Sequence, residues 1–272
     1  MADGVVNIDG ADVHYRHAGK GQPVVLIHGW PTNGDLWRDQ IPVLATQFCV
    51  YALDLPGMGQ SPRPAGDQYS WDGYARTVTL FMDGVGISQA HLVGHEFGAA
   101  IALLVAIRHP DRCERLAVLN TTPFPHLPWL VRLLIAVAKT PLLGRLVTSR
   151  AGISMLFRIG TTDSNTKPGD MVARYLPPAS GSMNSRKTIR HVLTGLDPKG
   201  LSEIVEGVSG ISCPTLILWA ENDPSAPLSI AETLHETLPG STLATISGCG
   251  HFAPEDSPVV VGERLLTFLT ST

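Results

Sequence analysis

The chain has 272 residues, 44% of them hydrophobic and 16% charged, which suits one enzyme-sized α/β domain with an insertion rather than a disordered or fibrous protein. A formal charge of -4 with no basic stripe gives nothing to draw it to nucleic acid or to an acidic membrane surface. The first residues, from Met1 to Ile8, lack a charged stretch followed by an apolar one, so no secretory signal is expected and the location expected is cytoplasmic.

In chain order, residues 5–8 and 13–17 read as a hairpin around Asp9-Gly10, followed by an apolar strand over 23–28. Further buried strands are expected at 49–54, in the run before Gly94, at 115–120, at 215–219 and at 242–246. Short apolar strands alternating with helical stretches predict a mostly parallel sheet covered on both faces. Ser257-Pro258 predicts the start of a last helix, whose stripe of Val261, Leu265, Phe268 and Leu269 packs on the sheet. Between Pro123 and about Gly210 the strand signal vanishes. Helical patches at 129–139, 142–149, 153–159 and 184–193 predict a helical lid, giving a core of residues 1–122 and 211–272 and a cap of residues 123–210. The longest apolar run, 127–138, is broken by Pro128 and Arg132 and is too short to span a bilayer.

The segment Gly94-His95-Glu96-Phe97-Gly98 lies between a buried strand and an apolar helix. Glycines on either side of a tight strand-to-helix turn leave one side chain standing above the sheet, the context of a nucleophile elbow. Here that side chain is a carboxylate, whose natural target is an sp3 carbon with a leaving group rather than a carbonyl. Gly57-Met58-Gly59 is a poor phosphate loop, because Pro62 and Pro64 stand where a helix would begin. Cys49, Cys113, Cys213 and Cys249 have no C-x-x-C spacing, which argues against zinc and against a disulfide framework.

Taken together, these motifs resemble the α/β-hydrolase superfamily over nearly the whole chain. His28-Gly29-Trp30-Pro31 resembles its H-G-x-P turn, and Asp54-Leu55-Pro56-Gly57-Met58-Gly59-Gln60-Ser61 its D-x-x-G-x-G-x-S loop. Asp223 follows the strand that carries the acid, and Gly248-Cys249-Gly250-His251 is similar to the histidine turn. Within the superfamily, Gly94-His95-Glu96-Phe97-Gly98 resembles the G-H-D-x-G elbow of haloalkane dehalogenases and epoxide hydrolases, with one extra methylene. The resemblance implies a cofactor-independent enzyme acting on a small, largely apolar, neutral molecule, with no metal; the oligomeric state, monomer or homodimer, is left open. It implies catalytic roles for Glu96, Asp223 and His251, an oxyanion hole from the amides of Trp30 and Phe97, and substrate contacts from Trp129, Leu130, Leu133, Leu134 and Tyr175.

The implied chemistry is attack by Glu96 to give an alkyl ester, then hydrolysis by water activated by His251. Dehalogenases of this type hold halide with an asparagine after H-G and a tryptophan after the nucleophile. Here those positions are Trp30 and Phe97, which leaves one indole N–H. Epoxide hydrolases use two lid tyrosines, whereas this lid has only Tyr175. Two other readings stay open: a lyase, cyclase or isomerase in which Glu96 and His251 only move protons, and a ligand-binding pseudoenzyme in which Glu96 holds His251 as an imidazolium.

Overall fold

The computed structural model describes residues 1–63, 69–176 and 183–271; Pro64 lies outside them. Strands β1 (Ala2–Ile8) and β2 (Ala11–Gly19) form the expected hairpin, with Asp9 and Gly10 both at positive φ, 51° and 83°, as a tight turn between twisted strands requires. The remaining strands are β3 (Pro23–Ile27), β4 (Cys49–Leu53), β5 (Ala90–His95), β6 (Cys113–Leu119), β7 (Thr215–Ala220) and β8 (Ser241–Ile246). They join one sheet of order β1-β2-β4-β3-β5-β6-β7-β8, parallel from β4 onward. All six residues of β5 and of β7 are buried, so the continuous apolar runs reflect burial on both faces.

Helices α1 (Gln40–Leu44), α2 (Trp71–Gly84) and α3 (Phe97–Arg108) cross over within the first half. Between β6 and β7 every described element is helical: α4 (Trp129–Lys139), α5 (Pro141–Val147), α6 (Arg150–Gly160), α7 (Pro168–Tyr175), α8 (Met183–Gly195) and α9 (Ser202–Gly207), with short 3-10 turns. We refer to this insertion as the cap. Helices α10 (Leu228–Thr237), α11 (Ala253–Asp256) and α12 (Pro258–Thr270) complete the chain. In the chain, α2 packs beside α3 and α1 beside α12. Pro258 opens α12 as expected, but Ser257 makes no side-chain capping bond. No described helix is long and apolar enough to cross a membrane.

This topology decides where chemistry can occur. The strands β3, β5, β6, β7 and β8 are neighbours and run the same way, so the loops leaving their carboxyl ends emerge side by side. Those loops carry Trp30, Glu96, Asn120, Asp223 and His251.

Candidate active site

Glu96 stands between β5 and α3 at φ 52° and ψ -118°, a region that stores about 1–3 kcal/mol of strain in a residue other than glycine. The turn is tight enough to dictate its neighbours. A Cβ on Gly94 would come within 2.4 Å of the Gly98 carbonyl oxygen, and one on Gly98 within 2.2 Å of the Ile27 carbonyl oxygen. The sequence therefore places glycine on both sides of Glu96, and the side chain is pushed above the sheet.

The extra methylene of glutamate folds back rather than reaching outward. Glu96 Oε2 accepts the amide N–H of Trp30 at 2.8 Å, and the Phe97 amide also favours the charged carboxylate. Both amides named in the sequence thus bear on the Glu96 carboxylate. Gly29 makes room for this: a Cβ there would lie 2.5 Å from Glu96 Oε2.

His251 Nδ1 lies 2.7 Å from Asp223 Oδ2. Asp223 is held by further donors: Asn120 Nδ2 at 2.9 Å on Oδ2, and on Oδ1 the Ser225 amide and hydroxyl, each at 2.7 Å, with the Ala226 amide at 3.0 Å. Because Nδ1 is committed to Asp223, Nε2 is the ring nitrogen left for the cavity that His251 lines. Asn120 and Ser225 were not singled out from the sequence. The signal was present for Ser225, two residues after an aspartate in a turn. Asn120 is an ordinary strand-end residue until its positive φ of 44° and its contact with Asp223 are seen.

Burial holds the Glu96 carboxyl above its ordinary value; His251 and the amides of Phe97 and Trp30 pull it back without cancelling the effect, and Asp223 adds to it. Burial works against the charged form of His251 as well, but Asp223, Glu96 and Asp256 outweigh it and keep the ring above its ordinary value. Burial also opposes ionisation of Asp223, yet His251 and Ser225 bring its carboxyl down to about 2. The arrangement is an imidazole raised above its ordinary value beside two carboxyl groups, one lowered and one raised.

Glu96, Asn120, Ser225 and His251 share a cavity of about 310 Å³, roofed by Leu130, Leu133, Leu134 and Val137 of α4, Leu156 and Ile159 of α6, and Leu193 of α8. Leu130, Leu133 and Leu134 therefore stand where the sequence placed them. Two other expected substrate contacts need correction. Trp129 is 73% exposed and is not part of the cavity wall, because one helical step from Leu130 turns it to the outer face. Tyr175 is buried away from the cavity and donates its hydroxyl to Glu255, which also binds Arg38 and Arg174. The indole N–H of Trp30 is likewise occupied, donating to the Ile189 carbonyl of α8 at 3.0 Å. A smaller cavity of about 70 Å³ adjoins Glu96 on the Phe97 side and includes Thr121, whose buried hydroxyl has no described partner.

The other glycine-flanking histidines shape loops. His28 Nε2 accepts the Leu55 amide at 3.0 Å while Nδ1 faces the Gly29 carbonyl at 2.8 Å. Burial, with His251, brings His95 down to about 3, so its neutral ring donates from Nε2 to the His251 carbonyl at 2.8 Å. Asp54 ties its own loop, accepting the Gly34 and Gln60 amides at 2.7 Å each, a structural role rather than a phosphate cradle. The cysteines are free thiols; Cys113 and Cys213 lie 3.7 Å apart at their sulfurs, and burial pushes Cys249 up to about 11, leaving it an inert packing group.

A family model described as the alpha/beta hydrolase fold matches residues 22–258. The chain belongs to the α/β-hydrolase fold family. It is 26% identical to the soluble epoxide hydrolase of Corynebacterium sp. over 96% of this chain and 94% of that one. It is 28% identical to haloalkane dehalogenase 2 of Mycobacterium tuberculosis over 90% and 87%. The solved structure of the epoxide hydrolase CorEH without ligand shares the fold, with a TM-score of 0.83 at 24% identity over 98% of each chain. Within this α/β-hydrolase, the elbow, the histidine turn and the cap meet at the carboxyl edge of the sheet, where such folds place their ligands.

Proposed function

We propose that this α/β-hydrolase opens a small, apolar epoxide through an ester of Glu96. The observation that carries the reading is Glu96 Oε2 seated on the Trp30 amide at 2.8 Å. One oxygen is held where negative charge must develop later, and Oε1 is left to attack carbon. Attack breaks the ring C–O bond, and the departing alkoxide takes a proton from the His251 imidazolium, which the two carboxylates favour. That proton replaces the one supplied by lid tyrosines elsewhere, since Tyr175 faces Glu255. The neutral His251 then removes a proton from water, and the hydroxide adds to the ester carbon. The oxyanion sits at Oε2 on the Trp30 amide, with the Phe97 amide beside it, and collapse returns the carboxylate, the imidazolium and a diol. Carbon–halogen substrates fit less well, because the Trp30 indole N–H is spent on Ile189 and Phe97 has no N–H donor in its side chain.

One observation favours a second reading, acid–base chemistry without an ester. Burial raises Glu96 while His251 is also raised, so the pair can hold and pass a proton. A single turnover of styrene oxide in oxygen-18 water separates the two. The ester route puts heavy oxygen into the Glu96 peptide, and His251→Gln accumulates a covalent adduct on that peptide by mass spectrometry. Turnover with Glu96 unlabelled, and no adduct in His251→Gln, would leave the acid–base reading in its place.

A further inference from the structure

The outer face of the cap differs from the rest of the surface. Trp129 is 73% exposed and Leu142 77%, with Leu143, Leu146 and Met155 exposed beside them. Each of α4 and α6 turns exposed apolar residues outward, and α5 packs against both, so the exposed side chains belong to three consecutive, mutually packed helices. A concentration of large exposed apolar side chains on one group of packed helices marks a place where something binds.

Its charge says what. Between Glu114 and Asp163 the chain contains no acidic residue, while residues 129–160 contain Arg132, Lys139, Arg145, Arg150 and Arg158. Arg132, Lys139, Arg145 and Arg158 are exposed and form no ion pair among the described residues. Elsewhere Arg16, Arg38, Arg76, Arg108, Arg112 and Arg174 each meet a carboxylate, and the described arginines without one, such as Arg63 and Arg115, are not gathered beside exposed leucines. The overall charge of -4 conceals this segment, because charges more than about 10 Å from a contact are screened at ordinary salt. Leu133 and Ile159 link the face to the site: both line the catalytic cavity and remain 50% and 47% exposed, so the cavity rim belongs to the same surface.

We propose that the outer face of α4–α6 docks on an anionic lipid bilayer, with Trp129 and the exposed leucines in the interface and the unpaired cations over the headgroups, and that apolar substrate passes from the lipid across the Leu133–Ile159 rim. An outward tryptophan and leucines among unopposed arginines and lysines are the composition of an interfacial surface. The docking stands independently of the reaction, whereas the uptake rests on the active-site reading above.

Flotation of the full chain with vesicles tests it. The chain should float with phosphatidylcholine vesicles containing phosphatidylglycerol, float at least tenfold less with phosphatidylcholine alone, and be released by high salt. The double substitution Lys139→Glu, Arg145→Glu should reduce flotation at least tenfold with an unchanged thermal melt, as both side chains are exposed. Leu142→Ser with Leu146→Ser should weaken flotation even at low salt, and Glu96→Gln should leave it unchanged. Because flotation needs no turnover, a failed reaction scheme does not affect it. Absence of flotation at low salt, or flotation indifferent to charge reversal, overturns the proposal. So does a dimer in solution that Leu142→Ser with Leu146→Ser dissociates while vesicles are ignored, since a second copy would then cover the face.

Discussion

The amide of Trp30 donates to Glu96 Oε2 at 2.8 Å, so the resting carboxylate already occupies the place in which an oxyanion would be stabilised. Glutamate is about one C–C bond, ~1.5 Å, longer than aspartate, and an error of about 1 Å in a reacting atom can cost about a hundredfold in rate. The folded-back side chain removes that difficulty, since the added length is taken up against Gly29 rather than projected into the cavity.

Glu96→Gln keeps an acceptor for the Trp30 amide but removes the charge. Turnover should fall by about 10⁴-fold or more, the scale of losing a nucleophile. His251 should titrate at lower pH than in the parent, since Glu96 is one of the groups raising it; a histidine NMR titration reads this directly. Stability should change in the opposite sense to activity. A carboxyl raised by burial disfavours folding increasingly as pH rises from its unfolded value through its folded one, so the variant should melt at a higher temperature than the parent at neutral pH and show no such gain in acid.

Asp223 behaves oppositely on folding. Its carboxyl is lowered from 3.8 to about 2, so it contributes on the order of 2 kcal/mol above pH 4, lost as pH falls through the folded value. Asn120→Asp replaces the amide donor on Asp223 Oδ2 by a second carboxylate. Its acid unfolding midpoint should move to higher pH, and urea titration at neutral pH should show a loss of about 1.5–3 kcal/mol. An unchanged midpoint would remove Asn120 from the support of Asp223.

Trp30→Phe leaves the backbone amide in place and deletes the indole bond to Ile189, a net loss of about 1 kcal/mol and of about 2–4 °C in melting temperature. Amide exchange in α8 should quicken, because this bond ties the cap to the oxyanion turn. Turnover of a small substrate should change far less than in Glu96→Gln.

Glu255 is the corresponding tie on the other side of the cap. It is buried and receives Arg38, Arg174 and Tyr175, so Glu255→Ala should leave Arg174 without a carboxylate, while Arg38 keeps Asp39, and cost about 1.5–3 kcal/mol in urea unfolding. Tyr175→Phe should cost only about 1 kcal/mol and leave turnover in place, whereas a tyrosine acting as the proton donor would lose it.

The sheet and the elbow were legible because their signals are local. Apolar runs such as 23–28 and 215–219 are of strand length, short for a helix and rich in β-branched residues, and glycines on both sides of Glu96 encode a turn too tight for a Cβ. The cap was legible as helix but not in its rotation: α4 is apolar on more than one face, so its sequence does not say whether Trp129 or Leu130 meets the cavity. The helices α7 and α9 were missed, because they are short, lying between Pro/Gly/Ser-rich links.

By itself the sequence determined the order along the chain of the Glu96 elbow, the Asp223 turn and the His251 turn, since each lies in a motif that a few adjacent residues define. Tertiary structure alone decided what those residues do to one another. The bond from Trp30 to Ile189 spans 159 positions and that from Tyr175 to Glu255 spans 80; both withdraw groups that appeared free for substrate. Likewise, only the meeting of the β3 turn with the β5 turn shows that the Trp30 amide is taken up by Glu96. Such contacts depend on which strand ends become neighbours and on how side chains rotate once buried, and neither is a property of any stretch of residues read alone.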